Sequence, residues 1–240
     1  MNAVNHAKIF SRIEEDAGEI AGIIDHTLLK ADATASQIKK ICVEALEFRF
    51  ASVCVNATYV KLAADELAGK NIPVCVTVGF PLGAHLTEVK VLETKLAIAD
   101  GAQEVDMVIN IGAMKNRDYN LVQKDIHSVV EVSKANNALC KVIFETAAFT
   151  DEEIITLCAL AKNAHADFVK TSTGFGAGGA TTKAVALMLQ EVGGSGLGVK
   201  AAGGIRNFAD AFKMAAAGAS RIGTSSGVAI VREALAESED

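Results

Sequence analysis

Eight short runs rich in β-branched residues recur along the chain, each followed by a segment of helical character, and this recurrence limits the fold more than any other feature. The runs are Ile23–Thr27, Ser52–Asn56, Val74–Val78, Val105–Asn110, Lys141–Thr146, Phe168–Ser172, Val199–Ala201 and Arg221–Thr224. Most intervals between them run from 23 to 36 residues. That leaves room for a crossover helix each time, so strands that share a sheet must pair in parallel. Eight such units in 240 residues suit an α/β fold of the (β/α)8 TIM barrel type, which takes about 250 residues. Thr34 with Gln37, and Thr150 with Glu153, have the capping-box spacing that starts a helix. Further helices are expected over Ala57–Leu67, Thr87–Ala99, Asn120–Lys134, Thr181–Glu191, Phe208–Ala217 and Val228–Leu235, with Gly101 and Gly218 as helix stops. Residues 1–19 form an N-terminal helical extension, its helix spanning about Ala3–Asp16 and placed to close the barrel floor. No linker or change of composition divides 1–240, which reads as one barrel domain.

Side-chain parity separates a closed barrel from an open doubly wound sheet, whose strands are covered by helices on both faces and read as continuous apolar runs. Here apolar and polar positions alternate. Val105, Met107 and Ile109 interleave with Glu104, Asp106, Val108 and Asn110, and Val53 and Val55 with Ser52, Cys54 and Asn56. This pattern fits apolar side chains facing a ring of helices and polar ones entering a lumen. Carried round the ring, it puts Asp25, Asp106, Lys141, Lys170 and Lys200 inside, mostly toward the carboxyl ends of their strands, where barrel enzymes keep their chemistry.

The net charge of −6 argues against a nucleic-acid footprint, which needs clustered Lys and Arg. Five dispersed cysteines with no CxxC pair read as reduced core thiols of a cytoplasmic protein. No apolar stretch has the length of a signal peptide core or a membrane span. The five histidines show no metal-ligand spacing, which disfavours metal-dependent aldol chemistry.

Two lysines inside neighbouring strands, Lys170 and Lys200, carry the chemistry. At its ordinary pKa only roughly 1 lysine in 2,500 is a free amine at pH 7. Two unit charges ~4 Å apart at an effective dielectric of ~20 repel by about 4 kcal/mol, worth roughly three pKa units. One lysine can therefore activate the other for Schiff-base chemistry, and spacing alone leaves open which is the nucleophile. Asp106 has the parity of a proton shuttle, with Asp25 and Lys141 completing a buried charge network. Cys54 is on lumen parity too. Glycine-rich turns follow the last three strands: Gly174 to Gly176, Gly203-Gly204-Ile205-Arg206, and Gly223-Thr224-Ser225-Ser226. Such amides, with serine hydroxyls and Arg206, make an anion cradle of the kind barrels use for phosphate. Gly174, Gly176 and Gly179 also match GxGxxG, but the next strand offers Lys200 where a dinucleotide site expects an acid.

Together these residues resemble the deoxyribose-phosphate aldolase family of class I aldolases. The resemblance runs from about Ile24 to Ala229, through Ile24-Asp25-His26-Thr27-Leu28-Leu29-Lys30, Ser52-Val53-Cys54-Val55-Asn56, Thr77-Val78-Gly79-Phe80-Pro81-Leu82-Gly83, Glu104-Val105-Asp106-Met107-Val108-Ile109-Asn110, Phe168-Val169-Lys170-Thr171-Ser172-Thr173-Gly174, Val199-Lys200-Ala201-Ala202-Gly203-Gly204-Ile205-Arg206 and Gly223-Thr224-Ser225-Ser226. It implies Lys170 as the Schiff-base lysine, Lys200 as the lysine that lowers its pKa, and Asp106 as the proton relay. Asp25, Lys141, Cys54 and Thr171 would support them, and Gly174, Gly203, Gly204, Arg206, Gly223, Ser225 and Ser226 would bind the substrate phosphate. The implied reaction is reversible cleavage of 2-deoxy-D-ribose 5-phosphate to D-glyceraldehyde 3-phosphate and acetaldehyde, in deoxyribonucleotide catabolism, by a homo-oligomer (dimer or tetramer) using no cofactor. Two features depart from the family pattern. Some members end in a tail with a terminal Tyr, where this sequence has Glu237-Ser238-Glu239-Asp240, and some carry a Lys where this one has Phe175. The competing readings are another barrel aldolase or a transaldolase-like enzyme on a different sugar phosphate, and a catalytically silent phosphosugar-binding barrel.

Overall fold

The computed structural model describes residues 5–237. Ala3 and Val4 of the expected first helix, and residues 238–240, lie outside the described residues. Strands β1 (Ile24–Leu28), β2 (Ser52–Val55), β3 (Val74–Val78), β4 (Glu104–Val108), β5 (Leu139–Ile143), β6 (Phe168–Lys170), β7 (Gly198–Ala202) and β8 (Arg221–Thr224) close into a barrel in sequence order. Every neighbour is parallel, and β8 pairs back onto β1 through Asp25 and Gly223. The helices are α1 (His6–Glu15), α2 (Ala35–Phe48), α3 (Val60–Glu66), α4 (Thr87–Ala99), α5 (Ile111–Lys115), α6 (Tyr119–Ala135), α7 (Asp151–Asn163), α8 (Thr182–Val192), α9 (Phe208–Ala216) and α10 (Gly227–Glu237).

Several strands stop earlier than the residue pattern suggests, because polar side chains take over the backbone's hydrogen bonds. Asn110, expected to end β4, instead caps α5 by accepting from the Ala113 amide at 3.0 Å, and no local pattern announces that short helix. Glu145 has left-handed backbone angles and opens a turn of 3-10 helix at Thr146–Ala148. Beyond Lys170 the Thr171 hydroxyl donates to the Ala202 carbonyl and accepts from the Ala202 amide, both at 3.1 Å, where a strand would use its main chain. The expected helix over 57–67 begins as a 3-10 turn, Ala57–Tyr59, before α3.

The parity reading holds. Val53, Val55, Val74, Val76, Val105, Met107, Val142, Val169, Val199 and Ile222 all join the one large core cluster that fills the space between strands and helices. Cys54 and Cys75, on the opposite face, lie apart from it with Leu29 and Phe80. At the amino-terminal end Asn5 caps α1, accepting from Lys8, and Phe10 packs at 5.4 Å on Phe212 of α9. A cavity of about 180 Å³ shared by Ile9, Arg12 and Ser220 sets α1 beside the start of β8, at one edge of the floor.

Both expected capping boxes form, with Thr34 and Gln37 on α2 and Thr150 and Glu153 on α7 exchanging hydrogen bonds with each other's backbone. Thr150→Ala is expected to cost about 1 kcal/mol, seen as a lower urea midpoint at unchanged slope. An unchanged midpoint would show that the cap does not hold α7.

Candidate active site

The polar lumen is organised around one carboxylate. Lys170 and Lys200 are register partners on β6 and β7, and both ammonium groups donate to the same atom, Asp106 Oδ2, at 2.6 and 2.7 Å. The other oxygen, Oδ1, accepts from Lys141 Nζ at 2.8 Å; Lys141 is the register partner of Asp106 on β5. Lys141 also lies 2.6 Å from Glu104 and 3.7 Å from Asp25, and Lys200 pairs with Asp25. Arg221 closes the network, its Nε donating to Asp25 at 2.8 Å and its terminal nitrogens to Glu104 at 2.8 and 3.2 Å.

These groups are stacked in depth and are not gathered at the carboxyl ends of the strands, which corrects the sequence-based placement. Glu104 and Arg221 open β4 and β8, Asp25 is second on β1, and Asp106, Lys141 and Lys200 sit mid-strand. Lys170 alone ends its strand. Parity tells which face a residue takes, but the stagger of a barrel's strands decides its depth. Arg221 and Glu104 were missing from the sequence-based network although both have lumen parity; the signal was Gly223, two residues after Arg221 on the same face.

Burial pushes the Asp106 carboxyl up, and the ammonium groups of Lys141, Lys170 and Lys200 overcome it, holding the group well below the usual carboxylate range. Asp25 is likewise held low, by Arg221, Lys200 and Lys141 against burial. The lysines answer in the opposite sense: burial lowers Lys141 and Lys200, and their carboxylate partners raise both above an ordinary lysine. Lys200 is therefore a fixed cation beside Lys170. Four cationic side chains (Lys141, Lys170, Lys200, Arg221) face three carboxylates (Asp25, Glu104, Asp106).

Cys54 is fully buried opposite Cys75. Cys75 donates to Asp106 Oδ1 at 3.1 Å, so it, and not Cys54, touches the charge network. Thr171 also stands outside that network; its hydroxyl bridges β6 and β7. The Cys54 and Cys75 sulfurs and an Asp106 oxygen lie within 4.8 Å of one another, a spacing able to hold a metal ion. The Lys141 ammonium already donates to both Cys75, at 3.3 Å, and Asp106, so a lysine charge stands where a cation would. The five cysteines are all free and buried.

Above Lys170 lies a cavity of about 350 Å³. Every residue expected to bind phosphate lines it: Gly174, Gly203, Gly204, Arg206, Gly223, Ser225 and Ser226. Two of the glycines are there for close approach. A Cβ at Gly203, whose φ is +90°, would stand 3.0 Å from the Gly179 Cα, and one at Gly223 would stand 3.0 Å from the Lys200 Cε. Gly223 thus makes room for the Lys200 stem, a task sequence reasoning did not assign to it. The Ser226 amide is already donated to Thr224 Oγ1 at 2.9 Å and the Phe175 amide to Thr173 Oγ1 at 3.0 Å. Phe175 lines the mouth, edge-on to Phe80 at 5.3 Å, and offers no charge. Lys30, just past the end of β1, lines the same cavity; it stood within a quoted motif but carried no expected role.

Fold and site define a (β/α)8 barrel in which a buried lysine, Lys170, ends a strand and faces a glycine-lined cavity. Residues 20–236 match the DeoC/LacD family aldolase profile, and the chain belongs to that aldolase family, hence to the carbon–carbon lyases. A deoxyribose-phosphate aldolase of Bacillus cereus (strain B4264) is 59% identical over 212 residues, covering 88% of this chain and 94% of its own. Among solved structures, the deoxyribose phosphate aldolase of Aeropyrum pernix, described as tetrameric, is 30% identical with a TM-score of 0.87, covering 95% of this chain and 97% of that one. QR15, an aldolase, is 39% identical with a TM-score of 0.86, covering 92% and 97%. No helix among the described residues is long and apolar enough to cross a membrane.

Arg221→Met would leave Asp25 and Glu104 without their shared guanidinium, and breaking such a buried pair costs about 3–5 kcal/mol. Asp25 titrates lower when folded than when unfolded, so its contribution is complete above about pH 5 and is lost as the pH falls. Urea unfolding of the variant is expected to show the full deficit at neutral pH and a smaller one below about pH 4. A deficit that does not change with pH would rule out this electrostatic account.

Proposed function

We propose that the chain catalyses the reversible cleavage of 2-deoxy-D-ribose 5-phosphate to D-glyceraldehyde 3-phosphate and acetaldehyde, through a Schiff base on Lys170 and without a metal or organic cofactor. One observation carries this reading: of the four cations in the lumen network, only Lys170 opens onto the cavity, and the glycine and serine residues suited to phosphate line that same cavity. It also supports the nucleophile's role for Lys170 over Lys200, which is enclosed. The Bacillus cereus relative bears the name of this activity.

In this mechanism the Lys170 amine adds to the C1 aldehyde of the open-chain sugar phosphate, and the carbinolamine loses water to give the iminium. The Lys170 Nζ shares Asp106 with two other cations, Lys141 and Lys200. The C3 hydroxyl then gives up its proton and the C2–C3 bond breaks. Its electron pair flows into the iminium, so D-glyceraldehyde 3-phosphate departs and an enamine remains. Protonation at C2 and hydrolysis of the resulting iminium release acetaldehyde. Asp106, hydrogen-bonded to Lys170 Nζ, relays these protons through water. Lys200, held charged by Asp106 and Asp25, keeps a cation beside the reacting nitrogen. Gly174, Gly203 and Gly204, the hydroxyls of Ser225 and Ser226, and the cations Arg206 and Lys30 hold the phosphate and thereby orient the far end of the substrate. Lys30 supplies charge that Phe175 does not.

This assignment goes with deoxyribonucleotide catabolism in the cytoplasm, a setting that suits five free thiols. We read 1–240 as one barrel domain with 1–19 as its extension, and as a homo-oligomer, in keeping with the tetrameric Aeropyrum pernix structure.

Borohydride added with 2-deoxy-D-ribose 5-phosphate is expected to leave a reduced adduct on Lys170, located by peptide mass mapping; no adduct, or one on another lysine, would refute the mechanism. Lys200→Leu is expected to lower kcat by about 100-fold or more, the scale of a lost electrostatic contact, and to move the acid limb of the activity profile to higher pH. A variant with the wild-type profile would remove Lys200 from its role.

A further inference from the structure

Glu145, just past the end of β5, is a buried carboxylate outside the charge network of the lumen. Its backbone is left-handed, with φ 63° and ψ 60°, a conformation uncommon for a residue with a side chain. One oxygen, Oε2, accepts from the Thr173 amide at 3.1 Å and also from the Thr173 hydroxyl. The other, Oε1, is buried with no hydrogen-bond partner among the described residues. A buried carboxylate with one oxygen unpartnered is costly, so fold stability is a poor reason for its presence. The residue it holds belongs to the turn between β6 and α8, which starts where Lys170 ends its strand.

The two bonds to Glu145 set the direction of the hydrogen bonds that follow. A carboxylate only accepts, so the Thr173 hydroxyl donates its proton to Glu145, and its lone pair is left to accept the Phe175 amide at 3.0 Å. The amides of Thr173 and Phe175 are both engaged within the turn, and the Gly174 amide between them has no acceptor among the described residues. Gly174 lines the cavity above Lys170, and its φ is 84°. An unengaged amide in a left-handed turn at a cavity wall is a donor suited to an anion. The other glycines press the turn onto its supports. A Cβ on Gly176 would meet the Glu145 carboxyl carbon at 2.8 Å and its oxygens at 2.9 and 3.0 Å, and one on Gly179 would run into the Gly203 carbonyl. The Ala180 amide donates to that same carbonyl at 3.0 Å. The GxGxxG run thus has a purpose other than a dinucleotide loop: one glycine offers its amide and two allow close packing.

We infer that Glu145 is a positioning residue for the substrate phosphate: acting through Thr173, it fixes the turn after β6 in the conformation that leaves the Gly174 amide free for the anion. The inference deepens the proposed reaction and rests on it for the substrate that carries the phosphate. Thr173 lines the cavity and Glu145 stands outside that lining, so the carboxylate acts on the donor from behind and does not face the phosphate. A hydroxyl that donates to Glu145 and accepts from Phe175 also explains the residue type at 173. Valine has the shape of threonine without the proton or the lone pair, and serine keeps both.

Steady-state kinetics on 2-deoxy-D-ribose 5-phosphate and on 2-deoxy-D-ribose separate this role from a merely structural one. Glu145→Ala and Thr173→Val are each expected to raise KM for the phosphate ester by about tenfold or more, the scale of a hydrogen bond to a charged group. Neither is expected to change kcat on the ester or kcat/KM on the unphosphorylated sugar appreciably. Gly176→Ala, which drives a methyl into the carboxylate, is expected to raise KM in the same sense, and Thr173→Ser to keep the wild-type value. Equal losses on both sugars, an unchanged KM for the ester in Glu145→Ala or Thr173→Val, or a serine variant as weak as the valine one would overturn the proposal. If Glu145→Ala does not fold, the Thr173→Val and Thr173→Ser pair decides alone. Thermal unfolding with inorganic phosphate, against chloride at equal ionic strength, reads the site without turnover. Phosphate is expected to raise the Tm of the wild type more than that of Thr173→Val, and equal shifts would count against the role of Glu145. A wild type stabilised in this way that forms no borohydride adduct on Lys170 would refute the proposed reaction and leave this phosphate site standing.

Discussion

One carboxylate with two lysines on a single oxygen sets the terms for the rest of the barrel. Asp106 is wholly buried, and an ion in that position is costly unless its partners are fixed and its remaining lone pair is used. Lys141 supplies that last contact. Each partner is a buried charge with the same need, so the demand passes outward to Asp25, Glu104 and Arg221 until every charge has an opposite. A lumen filled this way tolerates few changes, since loss of any member leaves another unpaired. Lys170 is the member of the cluster that meets the cavity.

The two faces of each strand divide the labour. The outward face contributes Val, Ile and Met to the aliphatic shell beneath the helices, and that shell holds eight strands in parallel so that a four-carbon lysine stem can reach a carboxylate two strands away. The inward face holds charge. Glycines maintain the boundary between the network and the solvent: Gly223 leaves space for the Lys200 stem, and Gly203 lets two loops meet backbone to backbone.

Much of the fold was legible because parity is a local property. The alternation of Val105 and Met107 with Glu104 and Asp106 states which side chains share a face, whatever lies next to the strand. Cap spacing is equally local, as Thr34 and Thr150 show. Strand ends were less legible, since they depend on partners elsewhere: β6 stops where the Thr171 hydroxyl takes over the Ala202 main-chain bonds, and nothing near Thr171 in sequence announces Ala202. The place of Lys30 in the cavity wall was hidden for the same reason, being set by loops some 140 to 200 residues further on.

Sequence by itself determined the repeated strand and helix units, the inward set of Asp25, Asp106, Lys141, Lys170 and Lys200, and the glycine turns after the last three strands, all properties of spacing and periodicity. Tertiary structure alone decided depth and partnership: that Lys170 reaches the cavity while Lys200 is enclosed, that both lean on the same oxygen of Asp106, and that Arg221 joins the cluster from β8. The physical reason is that strand stagger and barrel closure convert positions far apart in the chain into distances of a few ångströms. The depth and partners of a charge in the lumen are defined by those distances and have no signature in its own sequence neighbourhood, although its face does.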